Sequence, residues 1–489
     1  MAGAARNCAF LDYYSHVGPV WAGYIEVALG RNGVDLAVSQ NVIASNADTV
    51  VLGLGVTGLS CARYLARCGQ AFTVVDTRCE PPGLDALLSE FPGVPVFLGE
   101  VPGAVVESAG ELVVSPGLSL DEPLVLKAIA AGVDVVGDID LFVREANAPV
   151  IGITGSNAKS TVTELVGQMA RESGLNVAVG GNLGTPALDL LDDDCELYIL
   201  ELSSFQLERT SQLNLAVATV LNVSEDHLDR HGNLQNYHRA KHKIFSGCKT
   251  VVVNKNDSLT TPLVAHAVDV IAWGMEEPGL GGFGLGRDGD VEYLCYQFEK
   301  LLPVSDLGLL GRHNIANALA ALALGEAVRL PMPAMLKVLR EFHGLEHRCQ
   351  QVAEIAGVSY VNDSKGTNPG ATDAALRGLG VDRNILLIAG GIGKGADFSQ
   401  LRESVGAHCK RLILIGEAAP EMRASLEQCT EILLADSLDG AVSLAAQNSI
   451  SGDCVLLSPA CSSFDMFDSY KERGEVFVRA VSELARGVQ

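Results

Sequence analysis

"APVIGITGSNAKST", residues 148–161, runs from an apolar stretch through a short glycine-containing loop to a lysine and two hydroxyls. An apolar run ending at a glycine reads as a buried strand, and the residues from Lys159 onward read as a helix. A loop between strand and helix turns backbone N–H groups and the positive end of the helix dipole toward an anion. The stretch meets the phosphate-loop pattern G-x-x-x-x-G-K-[ST] only in part, since position 153 is Ile and position 158 is Ala. Gly155 remains for the turn, Lys159 to reach the β- and γ-phosphates, and Ser160 to offer a hydroxyl to magnesium. A methyl at 158 costs on the order of 1 kcal/mol if the loop requires a positive φ there.

On both sides of this loop, short β-branched runs alternate with helix-like segments, the pattern of parallel sheets covered by helices. Three such blocks follow an extension, residues 1–46, that lacks the basic start and clean apolar core of a signal peptide and receives no function. They span 47–138, 139–344 and 345–489. The expected fold is α/β: three consecutive open-sheet domains, Rossmann-like, phosphate-loop type and Rossmann-like. Strands are expected at 49–54, 72–76, 95–98 and 111–115; at 196–200, 216–222 and 250–254; and at 358–362, 384–389, 410–415 and 453–457. The glycine-rich "PGLGGFGLGRDGD", 278–290, is expected to be a flexible surface loop.

In the first block "VVLGLGVTGLS", 50–60, sets Gly53, Gly55 and Gly58 in G-x-G-x-x-G spacing, and "FTVVD" brings Asp76 to the end of the next strand. Such glycines let a backbone approach a diphosphate, and the acid can hold a ribose or a base edge. Taken alone the pattern motivates an NAD oxidoreductase. In the second block "LYILELSSFQLE" places Glu201 just past a buried strand, followed by Ser203, Ser204 and Gln206, and "LNVSEDHLDRHG" adds Asn222, Asp226 and His227. Acids at strand ends beside a phosphate loop make a metal-phosphate crevice.

Three segments match patterns of other classes. "DRHG" at 229–232 and "NKND" at 254–257 imitate a GTPase, but Asp229 does not end an apolar strand and Ala158 breaks the loop where a GTPase needs glycine. "HGLEH", 343–347, imitates a zinc motif without a third ligand and reads as a hinge.

The 489 residues are 48% hydrophobic and 19% charged, the composition of ordinary globular cores. A formal charge of -24 repels nucleic acid and anionic membrane, so anionic ligands must be held by local loops and placed cations. No apolar run approaches the ~20 residues of a membrane span. Twelve scattered cysteines with no C-x-x-C pair suit buried thiols in a reducing cytoplasm.

Ten segments in order, "TGSNAKST", "GGNLGTP", "ELSSFQLE", "NVSEDHLDRHG", "YHRAKHKIF", "GRHNIANALAA", "GLEHRCQ", "NDSKGTNPGAT", "GGIGKGADF" and "LSPACSSFDMFDSYKERGEVF", resemble the Mur ligases of bacterial cell-wall synthesis. The resemblance covers about residues 47–489, and "GLGVTGLS" with "VDTR" is most similar to the family's D-glutamate-adding member. It implies a cytoplasmic, monomeric, ATP-dependent amide ligase acting on UDP-N-acetylmuramoyl-L-alanine and D-glutamate through an acyl phosphate. Gly55, Val56, Thr57, Asp76, Thr77, Arg78, Ser115 and Gly117 would then hold the uridine diphosphate end, with Asn182 and Ser203 at the sugar-peptide. Gly155, Ser156, Asn157, Ala158, Lys159, Ser160, Thr161, Asn254, Asp257, Asn314, Arg348 and Asp363 would hold ATP. Two magnesium ions are implied, one on Ser160 and Glu201, the other on His227 and a carbamylated Lys241, and Lys159, Glu201, His227 and Lys241 would be the catalytic set. Apart from the resemblance, Lys241 reads as a solvated helix lysine. Lys365, Thr367, Lys394, Ser463 and Tyr470 would meet D-glutamate, lysines and hydroxyls being what a dianion demands. An L-alanine-adding ligase normally carries a different first-block glycine pattern, and a folate polyglutamate ligase lacks the first domain.

Overall fold

A computed structural model describes residues 49–262, 268–309 and 311–487, so the expected extension at 1–46 lies outside the described residues. The chain divides into two compact units, one ending at Asp138 and the other beginning at Ile139.

The first unit holds β1 (Thr49–Leu52), β2 (Phe72–Asp76), β3 (Val96–Leu98), β4 (Glu111–Val114) and β5 (Asp134–Val136) in a parallel sheet of order β3-β2-β1-β4-β5. β1 and β2 are buried along their whole length, as continuous apolar runs between two helical layers require. Order reverses at β1, and the turn after β1 lies beside the end of β4. Gly53 sits there at φ 97°, and a Cβ on Gly58 would lie 1.9 Å from the Gly53 carbonyl oxygen, so only glycines let this turn pack on the following helix, Val56–Arg67.

The second unit carries two sheets. β6 (Val150–Thr154), β7 (Val177–Gly181), β8 (Leu197–Glu201), β9 (Val217–Val220), β10 (Thr250–Asn254), β11 (Asp269–Trp273), β12 (Phe283–Asp288), β13 (Val291–Tyr296) and β14 (Glu299–Pro303) are ordered β14-β13-β12-β11-β10-β9-β6-β8-β7. The strands from β7 to β12 are parallel, and β12, β13 and β14 form an antiparallel meander. β15 (Gln350–Ile355), β16 (Val358–Asn362), β17 (Ile385–Gly390), β18 (Cys409–Ile415), β19 (Glu431–Leu434) and β20 (Cys454–Leu457) are ordered β15-β16-β20-β17-β18-β19, with only β15 antiparallel. The helix Lys159–Glu172 buries Val162, Leu165, Val166 and Met169, an i, i+3, i+4, i+7 stripe, against the middle sheet. Each of those side chains contributes roughly 1.5–3 kcal/mol by leaving water.

Two expectations need correction. The glycine-rich stretch 278–290 is not simply a loop, because Phe283–Asp288 is β12, paired residue for residue with β13. The cysteines are free among the described residues but not uniformly buried: Cys68 and Cys79 are exposed. The expected strands are present within a residue or two of their predicted ends, while β5, β7, β11, β13, β14, β15 and β19 were not anticipated.

Candidate active site

β6 lies between β8 and β9, so the loop that leaves β6 opens at the point where the strand order reverses, the crevice in which open α/β sheets bind ligands. Ala158, immediately before the helix, has φ 67° and ψ -6°, the left-handed conformation that the missing glycine would favour. The loop is pinned from β9: Asn157 N donates to Asn222 Oδ1 (2.8 Å), Ser156 N to the Asn222 carbonyl (2.9 Å), and Ser156 Oγ to the Ser224 carbonyl (2.9 Å). Lys159 Nζ curls back onto the carbonyls of Gly155 (2.8 Å) and Ser156 (3.0 Å). Burial pulls the Lys159 ammonium below its ordinary range, while Glu201 and Asp226 hold it up.

Glu201, the last residue of β8, is buried, and Ser160 Oγ donates to its Oε2 at 2.5 Å while Asn182 Nδ2 donates to Oε1 at 2.6 Å. Burial works to raise this carboxyl, but the Lys159 charge and the two hydrogen bonds bring it below the usual carboxylate range. Ser203 starts the helix Ser204–Leu207 with a reciprocal capping box to Gln206. His227, at φ 54°, lies 3.7 Å from Asp226 and edge-on to Phe205, and burial pushes its pKa to about 4.

Lys241 differs most from its helical reading. It is 1% exposed on the helix Leu234–His242, donates to the Gly155 carbonyl at 2.8 Å and lies 4.4 Å above the Tyr237 ring. Burial, aided by the Lys159 charge, takes its pKa well below the ordinary lysine value.

Beside the loop is a cavity of about 200 Å³. Asn157, Thr161, Asn254, Asn314, Arg348 and Asp363 form its polar wall, and Leu221, Trp273, Leu309 and Leu345 an apolar one. A slot with one apolar side, opening onto a phosphate loop, suits a nucleoside triphosphate. Arg348 Nη2 reaches Ser160 Oγ at 2.5 Å. Asp363 accepts from Ser458 Oγ (2.7 Å) and the Cys349 N–H (3.2 Å), and burial raises its pKa to about 6. Asp257 instead shapes its own turn, its oxygens accepting the N–H groups of Val223 (2.8 Å) and Leu259 (3.0 Å).

The loops after β16, β17 and β20 bring the other expected cations in. Lys365 Nζ lies 3.9 Å over the Tyr470 ring, and burial lowers its pKa to about 8. Lys394 Nζ donates to Asp226 Oδ1 at 2.9 Å and shares a small pocket with Thr367 and His227. Ser463 is buried in the next loop, where Ile392 bridges Ser462. Two organising residues escaped the sequence reading. Asn368 joins Asn157 and Asp226 by side-chain hydrogen bonds of 3.2 and 3.1 Å. Arg473, 1% exposed, donates to the carbonyls of Ser364 (2.8 Å) and Cys461 (3.2 Å), tying together the loops that carry Lys365 and Ser463. For both, the only signal was an amide or a guanidinium inside an already suspicious motif.

In the first unit, Asp76 is buried and its oxygens accept the Leu54 N–H (2.7 Å) and Arg78 Nε and Nη2 (2.9 and 2.7 Å). It therefore holds the turn and aims Arg78. Ser115 Oγ closes the same turn onto the Gly53 carbonyl (2.7 Å), while Val56 at the helix start is exposed. Gly55 and Thr57 follow the end of β1 in sequence, Thr77 that of β2 and Gly117 that of β4.

Three family models match the chain in order: the Mur ligase MurD-like N-terminal domain over 47–137, the Mur ligase middle domain over 153–325, and the Mur ligase glutamate ligase domain over 347–461. The UDP-N-acetylmuramoylalanine-D-glutamate ligase of Pseudomonas aeruginosa is 54% identical over 448 residues, covering 91% of this chain and 100% of that one. The enzyme of the same name from Marinobacter nauticus is 50% identical over 446 residues, covering 91% and 100%. Among solved structures, a pseudomurein peptide ligase type C from Methanothermus fervidus superposes with a TM-score of 0.56 at 17% identity, over 89% of this chain and 100% of that one. The UDP-N-acetylmuramate-alanine ligase from Thermotoga maritima follows at 0.55 and 20% identity, over 89% and 99%; at such identities the likeness is one of fold. The ordered motifs, three domain models and relatives matched along their whole length make one case: the chain belongs to the Mur ligase family.

Proposed function

We propose that this chain is an ATP-dependent ligase that joins D-glutamate to UDP-N-acetylmuramoyl-L-alanine in the cytoplasmic stage of peptidoglycan precursor synthesis. The observation that carries the proposal is the 54% identity to the Pseudomonas aeruginosa ligase of that name along all of its length. In this reading residues 47–138 take the uridine diphosphate end, 139–344 take ATP, and 345–489 take D-glutamate, in a single chain acting as a monomer.

A carboxylate does not condense with an amine in water, so the reaction needs a better leaving group. The substrate's terminal carboxylate attacks the γ-phosphorus, the bond to ADP breaks, and an acyl phosphate forms. The amine of D-glutamate then attacks the acyl carbon and loses a proton as phosphate leaves. Both steps crowd negative charge, which Lys159 and Arg348 beside the loop are suited to offset. Asn254, Asn314 and the apolar wall are suited to the nucleoside, and Lys365, Thr367, Lys394, Ser463 and Tyr470 to the two carboxylates of D-glutamate. Asn182 and Ser203 are suited to the reacting end of the sugar-peptide, and Arg78 to its diphosphate.

The Ser160 hydroxyl and Glu201 carboxylate, 2.5 Å apart on the phosphate loop and β8, fit a hard dication such as Mg²⁺. Bound Mg²⁺ supplies positive charge to the phosphates. The Lys241 amine, whose ammonium form burial disfavours, is suited to carbamylation: the neutral amine's nitrogen bonds the carbon of CO₂, one proton leaves, and a carboxylate-like ligand results. With His227 it would hold a second Mg²⁺.

The test is ADP release from Mg-ATP with UDP-N-acetylmuramoyl-L-alanine, comparing D-glutamate, L-glutamate, L-alanine and no amino acid. Release that depends on D-glutamate supports the proposal; release that depends on L-alanine, or none from folded protein, overturns it.

A further inference from the structure

"YHRAKH", residues 237–242, sets two histidines four apart on the helix Leu234–His242. That spacing puts both imidazoles on one face, one turn apart. Lys241 points inward to the phosphate loop, whereas His238 and His242 lie on a half-buried outer side. Their ring centroids are 3.9 Å apart with planes inclined by 32°. His238 Nε2 lies 3.0 Å and His242 Nε2 2.7 Å from the same atom, the carbonyl oxygen of Leu259. Two imidazole nitrogens therefore converge on one carbonyl oxygen, which puts two metal-ligating nitrogens within 3.0 Å of a third ligating atom. The oxygen is itself fixed, because Asp257 Oδ1 accepts the Leu259 N–H at 3.0 Å and caps the turn Ser258–Thr260. A carboxylate two residues from the carbonyl ligand also adds outer negative charge that favours a cation.

We propose that His238, His242 and the Leu259 carbonyl form a binding site for a first-row transition metal such as Zn²⁺, separate from the magnesium crevice. Imidazole donors select Zn²⁺, Ni²⁺ or Cu²⁺ over the hard Mg²⁺, which prefers carboxylate, phosphate and water. Water completes the coordination, since the site offers two nitrogens and one oxygen. Loading moves each ring proton from Nε2 to Nδ1, so the two N–H donations to Leu259 give way to two nitrogen-metal bonds without net proton release. The bound ion ties the helix that carries Lys241 to the turn after β10. The inference concerns neither substrate nor reaction, and it stands or falls apart from the ligase proposal.

The experiment uses untagged full-length protein in a large excess of Mg²⁺, with Zn²⁺ binding followed by equilibrium dialysis. Wild type is compared with His238→Gln, His242→Gln and the double variant; glutamine keeps an N–H for the Leu259 carbonyl. Wild type is expected to hold one more Zn²⁺ than the double variant, and each single variant to bind that ion roughly tenfold or more weakly. A Zn²⁺-soaked crystal of the wild type is expected to show an anomalous peak between the two rings, a result that does not depend on any variant folding. Equal stoichiometry and affinity in wild type and double variant, or no peak at that position, overturns the proposal.

Discussion

Ala158→Gly tests what the altered phosphate loop costs. Ala158 sits at φ 67° directly before the helix, where an L-residue suffers about 1–2 kcal/mol of steric cost that glycine does not. Against that gain, glycine loses about 0.4–1 kcal/mol more chain entropy on folding. The half-buried methyl, packed on the middle core, contributes a fraction of the ~0.8 kcal/mol of a fully buried carbon. The balance is a change between about -0.5 and +1.5 kcal/mol of stability. Urea unfolding followed by tryptophan fluorescence reads it directly, because one of the two tryptophans, Trp273, lines the same cavity. The loop is held by hydrogen bonds to Asn222 and Ser224, which fix the conformation of residue 158 independently of the side chain there. KM for ATP should therefore change less than about tenfold, or ~1.4 kcal/mol. A stability loss above about 1 kcal/mol, or a larger change in KM, would refute the reasoning.

Lys241→Ala is expected to abolish ADP release, and added short carboxylic acids to restore part of it; full activity without them would sink the carbamate role. Affinity for D-glutamate should fall as pH rises through about 8, because burial has lowered Lys365 from 10.5 to that value and the cation is lost above it. Lys365→Arg should move the fall to higher pH, and an unchanged profile in a calorimetric titration would dissociate Lys365 from the amino acid. By the same linkage, burying the charged Lys365 costs stability below pH 8, and that cost fades as pH rises from there toward 10.5. Arg473→Met should destabilise the protein by roughly 3 kcal/mol or more, since the carbonyls of Ser364 and Cys461 lose buried donors; a denaturation midpoint equal to wild type would contradict that assignment.

The central parallel strands were legible because a strand covered on both faces is largely apolar, as in β1, β6, β8 and β17. β12 was hidden by its glycines, which have a packing cause. A Cβ on Gly284 would lie 2.2 Å from the Glu276 carbonyl oxygen, and one on Gly286 2.8 Å from Cys295 Sγ. Close approach of neighbouring chain thus produced the composition of a loop. β5, β15 and β19 lie at sheet edges, where exposed positions interrupt the apolar signal. In the site, residue types beside strand ends were readable, but their commitments were not. Asp76 also accepts from Arg78 and Leu54, and Lys241, which reads as solvated, meets a carbonyl 86 residues away in sequence. Neither partner follows from local spacing.

The middle and last sheets of the second unit are joined through the groups that the proposed substrates require. Arg348 bonds Ser160, Asn368 pairs with Asn157 through both amides, and Lys394 is bonded by Asp226. Lys159 meanwhile spends its donors on the carbonyls of Gly155 and Ser156. A phosphate or carboxylate entering this crevice must exchange its own oxygens for these internal acceptors, so binding is paid only by the difference between the two sets of bonds. The exchange favours an anion because burial, with the nearby charges of Arg348 and Lys394, lowers the basicity of Lys159 and Lys365. An anion relieves that repulsion, whereas a carbonyl only solvates it. Thus the crowding of these cations supplies discrimination for anions in a protein whose overall charge is -24.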